Sequence, residues 1–127
     1  MPHFIVEYTD NLQGEADIAG LLKKVNQVLI SHRDLFPIGG IRSRAIELHD
    51  YRIADGAEED AFVHGTLKIG PGRSPADKQA VCDGLFAVME EHFADLFHTR
   101  YLALSMELSE FSNPTYKRNN IHTRFKK

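Results

Sequence analysis

A strand, a turn and a helix follow one another in the stretch Leu67-Lys68-Ile69-Gly70-Pro71-Gly72-Arg73-Ser74-Pro75-Ala76-Asp77. Its apolar beginning closes a β-rich run over 61–69, and the Gly-Pro-Gly sequence predicts a turn. Ser74 is suited to cap a helix, with proline at the first helical position and the acidic Asp77 three residues after the cap. Apolar residues at helical spacing then predict a helix that continues to about Phe97.

The first half of the chain has the same order of elements. Residues 3–8 are β-branched and aromatic and predict a strand, followed by an amphipathic helix over roughly 15–30 and a strand over 41–48. In the second half, the strand at 61–69 and the helix after it lead to a fourth strand over 101–108. A strand–helix–strand unit normally joins parallel strands. We therefore predict an α+β fold, a duplicated βαβ unit in which a four-stranded sheet carries two helices on one face.

Length and composition favour one domain over residues 1–127. The chain has 127 residues, 43% of them hydrophobic, which suits a single core. The two βαβ halves are expected at about 2–56 and 61–110, with a polar tail over 111–127. A two-layer unit leaves one sheet face bare, and an apolar face of that kind favours self-association. The sequence leaves open whether the tail is disordered or is an arm that docks on a neighbouring subunit.

Charge and segment patterns limit the partners and the compartment. The net charge of −3 gives no indication of a nucleic-acid partner. The sequence has no apolar run of transmembrane length, and its start lacks the layout of a signal peptide. Cys82 is the single cysteine, so an intramolecular disulfide is excluded. We expect a cytoplasmic protein with neither a nucleic-acid nor a membrane partner.

The sequence begins Met1-Pro2. Proline is small enough for the methionine before it to be removed, which leaves Pro2 as a terminal secondary amine. A terminal α-amino group titrates near pH 8, far below lysine, and burial or nearby cations lower its pKa further. Pro2 is therefore a candidate general base at neutral pH. The alternative is that Pro2 only begins a strand.

Three arginines are candidates for binding an anion. Arg42 and Arg44 stand at period two on a predicted strand, and Arg73 lies directly before a predicted helix start. Guanidinium groups bind carboxylates through paired hydrogen bonds, and a helix start adds a favourable field. Each arginine taken alone is better explained as a surface charge or a salt-bridge partner. Histidines His64 and His122 stay open as neighbours of a site, but no metal-ligand spacing and no nucleotide motif is present, so no cofactor is predicted.

Several stretches together resemble the 5-carboxymethyl-2-hydroxymuconate delta-isomerase family of the tautomerase superfamily, over almost the full chain. The turn at Gly72-Arg73-Ser74 is similar to that of small tautomerases from aromatic catabolism. The stretches that carry the resemblance are Pro2-His3-Phe4-Ile5-Val6-Glu7, Gly40-Ile41-Arg42-Ser43-Arg44, Ala54-Asp55-Gly56, Ala61-Phe62-Val63-His64, Thr66-Leu67-Lys68-Ile69-Gly70 and Lys117-Arg118-Asn119-Asn120-Ile121-His122.

The resemblance implies an isomerase, classed as an intramolecular oxidoreductase, that acts on a diene tricarboxylate in homoprotocatechuate (4-hydroxyphenylacetate) catabolism. It implies a homotrimer that needs no metal or cofactor. It further implies that Pro2 takes a proton from the enol hydroxyl of the substrate and returns it to carbon. Arg42 would hold a substrate carboxylate and draw electron density, and Arg73 would bind the other end of the substrate. Arg44 is the weaker candidate for substrate binding.

Two other functions remain compatible with the sequence. The first is a tautomerase that acts on a different enol or keto acid. The second is a non-catalytic trimeric protein that binds a small anionic carboxylate. An RNA-binding βαββαβ module is disfavoured by the net charge and by the missing aromatic RNP pattern.

Overall fold

A computed structural model describes residues 1–126 of the chain. Its four strands and three α-helices are β1 (His3–Thr9), α1 (Ile18–Ser31), β2 (Arg42–Leu48), β3 (Ala61–Ile69), α2 (Pro75–His92), α3 (Ala94–Thr99) and β4 (Leu102–Glu110). Short 3-10 helices lie at Asp10–Leu12, at Ile38–Gly40 and, within the tail, at Ile121–Phe125. We call the last of these the tail helix.

The strands form one sheet in the order β2-β1-β3-β4. The pairs β1–β2 and β3–β4 are parallel, and β1 pairs with β3 antiparallel at the centre. Each parallel pair therefore belongs to one half of the chain, and the halves meet in opposite directions. The predicted α+β architecture, two βαβ units that share a four-stranded sheet, is confirmed.

Strand residues alternate between the helical layer and the opposite face. On β1, Phe4 and Val6 are fully buried against the helices. Gly65 of β3 makes room for the Phe4 ring, because a Cβ there would lie 2.5 Å from Cζ of Phe4. This alternation joins the sheet and both long helices in one core, whose helical members include Leu21, Val25, Leu29, Val81, Leu85 and Met89.

Helix α2 begins as predicted and ends earlier. The Ser74 hydroxyl oxygen accepts a hydrogen bond from the backbone N–H of Asp77 at 3.1 Å, so the cap is the predicted one. The helix ends at His92 rather than near Phe97. Phe93 leaves helical geometry, with φ −101° and ψ 12°, and its side chain is fully buried. Burial of this ring accompanies the break, after which α3 begins at Ala94.

The end of the tail packs against the same chain. The sequence had left open only a disordered tail or an arm that docks on a neighbouring subunit. The Asn119 side-chain amide donates a hydrogen bond to the Gly39 carbonyl at 2.8 Å. Gly39 permits the close approach, because a Cβ there would lie 2.7 Å from Nδ1 and 2.9 Å from the backbone nitrogen of His122. The tail helix is thereby held against the loop that precedes β2.

The sheet face opposite the helices carries both apolar and charged side chains. They include His3, Ile5, Arg44, Ile46, Phe62, His64, Thr66, Lys68, Ser105 and Glu107. Ile46 is 46% exposed on this face. The bare face is thus mixed, and only part of it meets the apolar condition for self-association. Among residues 1–126, no helix is both long and apolar enough to span a membrane.

Candidate functional site

A cavity of about 370 Å³ lies at the amino terminus. Four parts of the chain form it: the terminus before β1, the loop before β2, the loop before α2, and the tail. The residues that line it are Met1, Pro37, Gly40, Arg73, Lys117, Asn119 and His122. It therefore depends on contacts between segments that are far apart in sequence.

Sheet pairing fixes the position of Pro2. The backbone N–H of Arg42 donates to the Pro2 carbonyl at 3.1 Å, which extends the β1–β2 pairing by one residue. Pro2 is buried, and Met1 reaches from it into the cavity. With Met1 attached, the Pro2 nitrogen is an amide, and the terminal amine belongs to Met1.

Neither of the two predicted strand arginines lines the cavity, but Arg42 contacts two residues that do. The Arg42 Nη1 donates to the Gly40 carbonyl and to Sδ of Met1, both at 3.1 Å. Arg44 lies two residues further along β2, and its Nη1 is 3.1 Å from Nδ1 of His3. Arg44 is outside the cavity lining, on the bare sheet face. The period-two pattern thus predicted a shared face, but not a shared pocket.

Arg73 is held firmly before the start of α2. Its guanidinium donates to the carbonyls of Gly70 and Leu35, both at 2.9 Å. The same group lies 4.8 Å from the centre of the buried Phe36 ring. Its fixed partners are backbone carbonyls and an aromatic ring. Within the described residues 1–126, no carboxylate neutralises the positive charge of Arg73, which lines the cavity.

The cavity is electropositive. Burial, followed by the charges of Lys117, Arg73 and Arg42, lowers the pKa of the Met1 amino group from its ordinary value of 8.0. Among residues 1–126, none of these three cations forms an ion pair with a carboxylate. Such an arrangement favours carboxylate ligands and keeps a terminal amine neutral at lower pH.

Of the sequence-predicted residues, Arg73 lines the cavity, while Arg42 contacts it through Met1 and Gly40, and Pro2 is buried directly behind Met1. His122 also lines the cavity, whereas His64 lies on the bare face, 2.7 Å from Oγ of Ser105 and 3.0 Å from a carboxylate oxygen of Glu107. Two further residues were missed, namely Lys117 and Asn119. Both belong to a stretch that carried the family resemblance, and this resemblance is the signal that could have identified them.

The internal duplication produces a second cavity at the other end of the β1–β3 pair, with a different charge pattern. It measures about 530 Å³ and is lined by Glu58, Glu59, Phe97, His98, Thr99, Arg100 and Tyr101. Its arginine is neutralised, because Nη1 of Arg100 donates to Glu15 at 2.6 Å. The uncompensated cations therefore distinguish the cavity at the amino terminus from its counterpart.

Within residues 1–126, no three side chains of His, Cys, Asp or Glu are close enough together to hold a metal ion.

Comparison with known proteins gives matches over nearly the whole chain. The family model described as 5-carboxymethyl-2-hydroxymuconate isomerase matches residues 2–125. A 5-carboxymethyl-2-hydroxymuconate Delta-isomerase from Escherichia coli is 48% identical, over 99% of this chain and 100% of that protein. A crystal structure of a 5-carboxymethyl-2-hydroxymuconate isomerase from Deinococcus radiodurans R1 is 52% identical and has a TM-score of 0.94, covering 99% of this chain and 95% of that one.

A more distant structure shares the fold alone. A fused 4-OT wild-type symmetric trimer is 16% identical, with a TM-score of 0.59 over 92% of this chain and 93% of that one.

Proposed function

Because the chain belongs to the 5-carboxymethyl-2-hydroxymuconate isomerase family, we propose that it isomerises 5-carboxymethyl-2-hydroxymuconate in homoprotocatechuate catabolism in the cytoplasm. The reaction moves a proton within one molecule, so the enzyme is classed as an intramolecular oxidoreductase. The family resemblance implies that it needs no metal or cofactor. The observation that carries the proposal is the amino terminus seated in a cavity beside Arg42, Arg73 and Lys117.

The active form begins at Pro2. In the structure, Met1 fills part of the cavity. Its Sδ contacts the Arg42 guanidinium, and its Cγ lies 3.2 Å from the place that a Cβ added to Gly40 would occupy. Removal of Met1 therefore has two consequences. It converts the Pro2 nitrogen from an amide into a secondary amine, and it frees the Arg42 guanidinium from the thioether.

Pro2 is the general acid–base group. Its neutral amine accepts the proton of the enol hydroxyl of the substrate. The electrons of the O–H bond form the carbonyl, and the conjugated double bonds shift along the carbon skeleton of the substrate. The resulting secondary ammonium then gives the proton to carbon, so no atom is gained or lost. Burial and the three cations lower the pKa of the Met1 amino group. Pro2 is the next residue, so we expect the same cations to favour the neutral form of its amine. Acid–base catalysis of this kind contributes about 10²–10⁴-fold.

The arginines hold the substrate and stabilise the dienolate. Arg42 binds one carboxylate and draws electron density towards it, while Arg73 binds the other end from its fixed position before α2. Each positioned electrostatic donor contributes roughly 10²–10³-fold. Arg44 has the smallest role. Its charge, second to burial, lowers the pKa of His3, and it adds to the positive field beside the strand starts.

The enzyme is a homotrimer. Three considerations support this assembly: the family resemblance, the distant fold neighbour that is a trimer, and the bare sheet face with its exposed Ile46. Packing the sheets of three copies together buries this face, which otherwise has no cover in a single chain.

The test is an ultraviolet assay with 5-carboxymethyl-2-hydroxymuconate and with 2-hydroxymuconate, which lacks the carboxymethyl arm. Protein without Met1 should turn over the carboxymethyl substrate, with unchanged rates after treatment with EDTA.

Pro2→Ala should lower kcat by about 10²-fold or more while the oligomeric mass is retained. Full activity of Pro2→Ala would rule out the base assignment. Preference for the shorter dienol would indicate a different tautomerase, and binding without turnover would indicate a binding protein.

A further inference from the structure

We propose that Lys117 recognises the third carboxylate of the substrate, the one on the carboxymethyl arm, and so gives the site its preference for tricarboxylates over dicarboxylates. This inference rests on the proposed function and adds a specificity-determining residue that belongs to the tail rather than to either βαβ half.

The tail holds Lys117 at the cavity. Asn119, two residues later, donates to the Gly39 carbonyl at 2.8 Å, and its own side-chain oxygen accepts from the backbone N–H of Ile121 at 2.7 Å. His122 lies against Gly39. These contacts fix the backbone on the carboxyl side of Lys117, which lines the cavity together with Arg73.

Lys117 is available for a ligand. Among residues 1–126, its amino group has neither a hydrogen-bond partner nor an ion pair, whereas Lys78 pairs with Glu110 at 3.2 Å and Arg100 pairs with Glu15 at 2.6 Å. The side chain is exposed. A charge left without a partner at a cavity rim, in a chain of net charge −3, is suited to attract and hold an anion.

The number of cations matches the number of carboxylates. Arg42, Arg73 and Lys117 all act electrostatically on the amino terminus at this cavity, and a muconate that carries a carboxymethyl arm has three carboxylates. Both arginines are anchored by backbone carbonyls, Arg42 by that of Gly40 and Arg73 by those of Gly70 and Leu35. A dicarboxylate that pairs with both arginines leaves Lys117 without a partner, whereas a tricarboxylate satisfies all three charges.

The kinetic test compares 5-carboxymethyl-2-hydroxymuconate with 2-hydroxymuconate. Lys117→Gln should raise KM for the tricarboxylate by about tenfold, the size expected for loss of one charge-assisted hydrogen bond near solvent, and should change KM for the dicarboxylate by less than about twofold. Lys117→Arg should restore most of the preference. The matched control is Arg118→Gln, which removes the same charge from the next residue, outside the cavity lining. Equal changes for both substrates, or none for either, would overturn the inference.

A binding measurement separates this inference from the proposed function. Isothermal titration calorimetry with propane-1,2,3-tricarboxylate and with pentanedioate needs no turnover. Tighter binding of the tricarboxylate by the wild-type protein, lost in Lys117→Gln and kept in Arg118→Gln, would support Lys117 even for a protein that turns over neither muconate. Identical selectivity in wild type and Lys117→Gln would refute the inference, whatever the isomerase assay shows.

Discussion

The peptide bond between Met1 and Pro2 determines which groups the cavity presents. While it is intact, the Pro2 nitrogen has no lone pair available as a base, and the Met1 thioether contacts Arg42 at 3.1 Å. In the proposed processed form, a secondary amine lies near three cations that have no carboxylate partner within residues 1–126. Chemistry at this site thus depends on processing as much as on folding.

Arg73 offers a direct test of the anion-binding role. Arg73→Lys keeps the charge but loses the paired hydrogen bonds and the contact with the Phe36 ring, so kcat/KM should fall by about 10²-fold. Steady-state kinetics on the carboxymethyl substrate measure the loss, and circular dichroism checks folding. Arg118→Lys is the matched control and should stay within about twofold. A variant as active as the wild type would show that Arg73 serves the loop rather than the ligand.

The pH dependence of kcat/KM reports on the terminal amine. The base is active when neutral, so activity rises as pH increases through its pKa. Burial and nearby cations lower the pKa of the Met1 amino group at this terminus, and we expect the same cations to lower the pKa of a Pro2 amine. Loss of a cation stabilises the ammonium form and raises that pKa. Lys117→Gln should therefore move the acidic limb to higher pH, and Arg118→Gln should leave it in place. A limb that stays fixed or moves to lower pH in Lys117→Gln would contradict the assignment.

At the scale of elements, the cavity depends on how the tail helix docks. Gly39→Ala would put a Cβ 2.7 Å from Nδ1 and 2.9 Å from the backbone nitrogen of His122, so the tail helix must move away. We expect faster hydrogen exchange over residues 117–125 and a higher KM for the carboxymethyl substrate. Gly70→Ala is the matched control, because a Cβ there has no neighbour within 4 Å. Unchanged exchange in Gly39→Ala would show that the docking tolerates the methyl group.

Local sequence predicted most of the elements because their signals are local. Strand alternation and helical spacing depend on neighbours a few residues apart, and the Ser74 cap involves only Asp77. The end of α2 was predicted too late, at Phe97, because the apolar spacing continues past the break at Phe93. That ring is fully buried by tertiary packing, which the spacing of apolar residues does not encode.

The site was predicted only where a residue's chemistry is evident by itself. Pro2 follows methionine, and Arg42 and Arg73 stand beside a strand start and a helix start. Asn119 reaches Gly39 across 80 positions of sequence, and Lys117 lines the cavity because of that contact. Arg44 shows where the strand pattern misleads. The pattern predicted that Arg44 shares a strand face with Arg42, but its side chain contacts His3 and does not line the cavity.

For the whole molecule, the duplication gives the sheet two ends with different charge patterns. The halves run in opposite directions along the sheet, so each end has its own cavity. The first half has a chain terminus at its end, while the second begins its strand inside a continuous chain. The overall charge is negative, yet three cations that form no ion pair in the described residues 1–126 give one cavity a positive field suited to attracting an anion.

The assembly can be tested on the same scale. Light scattering after size-exclusion chromatography should give three times the chain mass of 14.4 kDa. Ile46→Asp places a charge on the bare sheet face and should shift the protein to smaller species. Tyr116→Asp, at a residue that is 99% exposed in the tail, should leave the mass unchanged. A wild-type protein that elutes as a monomer at micromolar concentration would contradict the homotrimer.

The most direct measurement pairs the intact mass with activity for the same preparation before and after methionine aminopeptidase. Starting from protein that retains Met1, the account predicts a mass loss of one methionine together with a rise in kcat/KM of about 10²-fold or more on the carboxymethyl substrate. Equal activity of the two forms, each verified by mass, would contradict it, because the Pro2 nitrogen is an amide in one and an amine in the other.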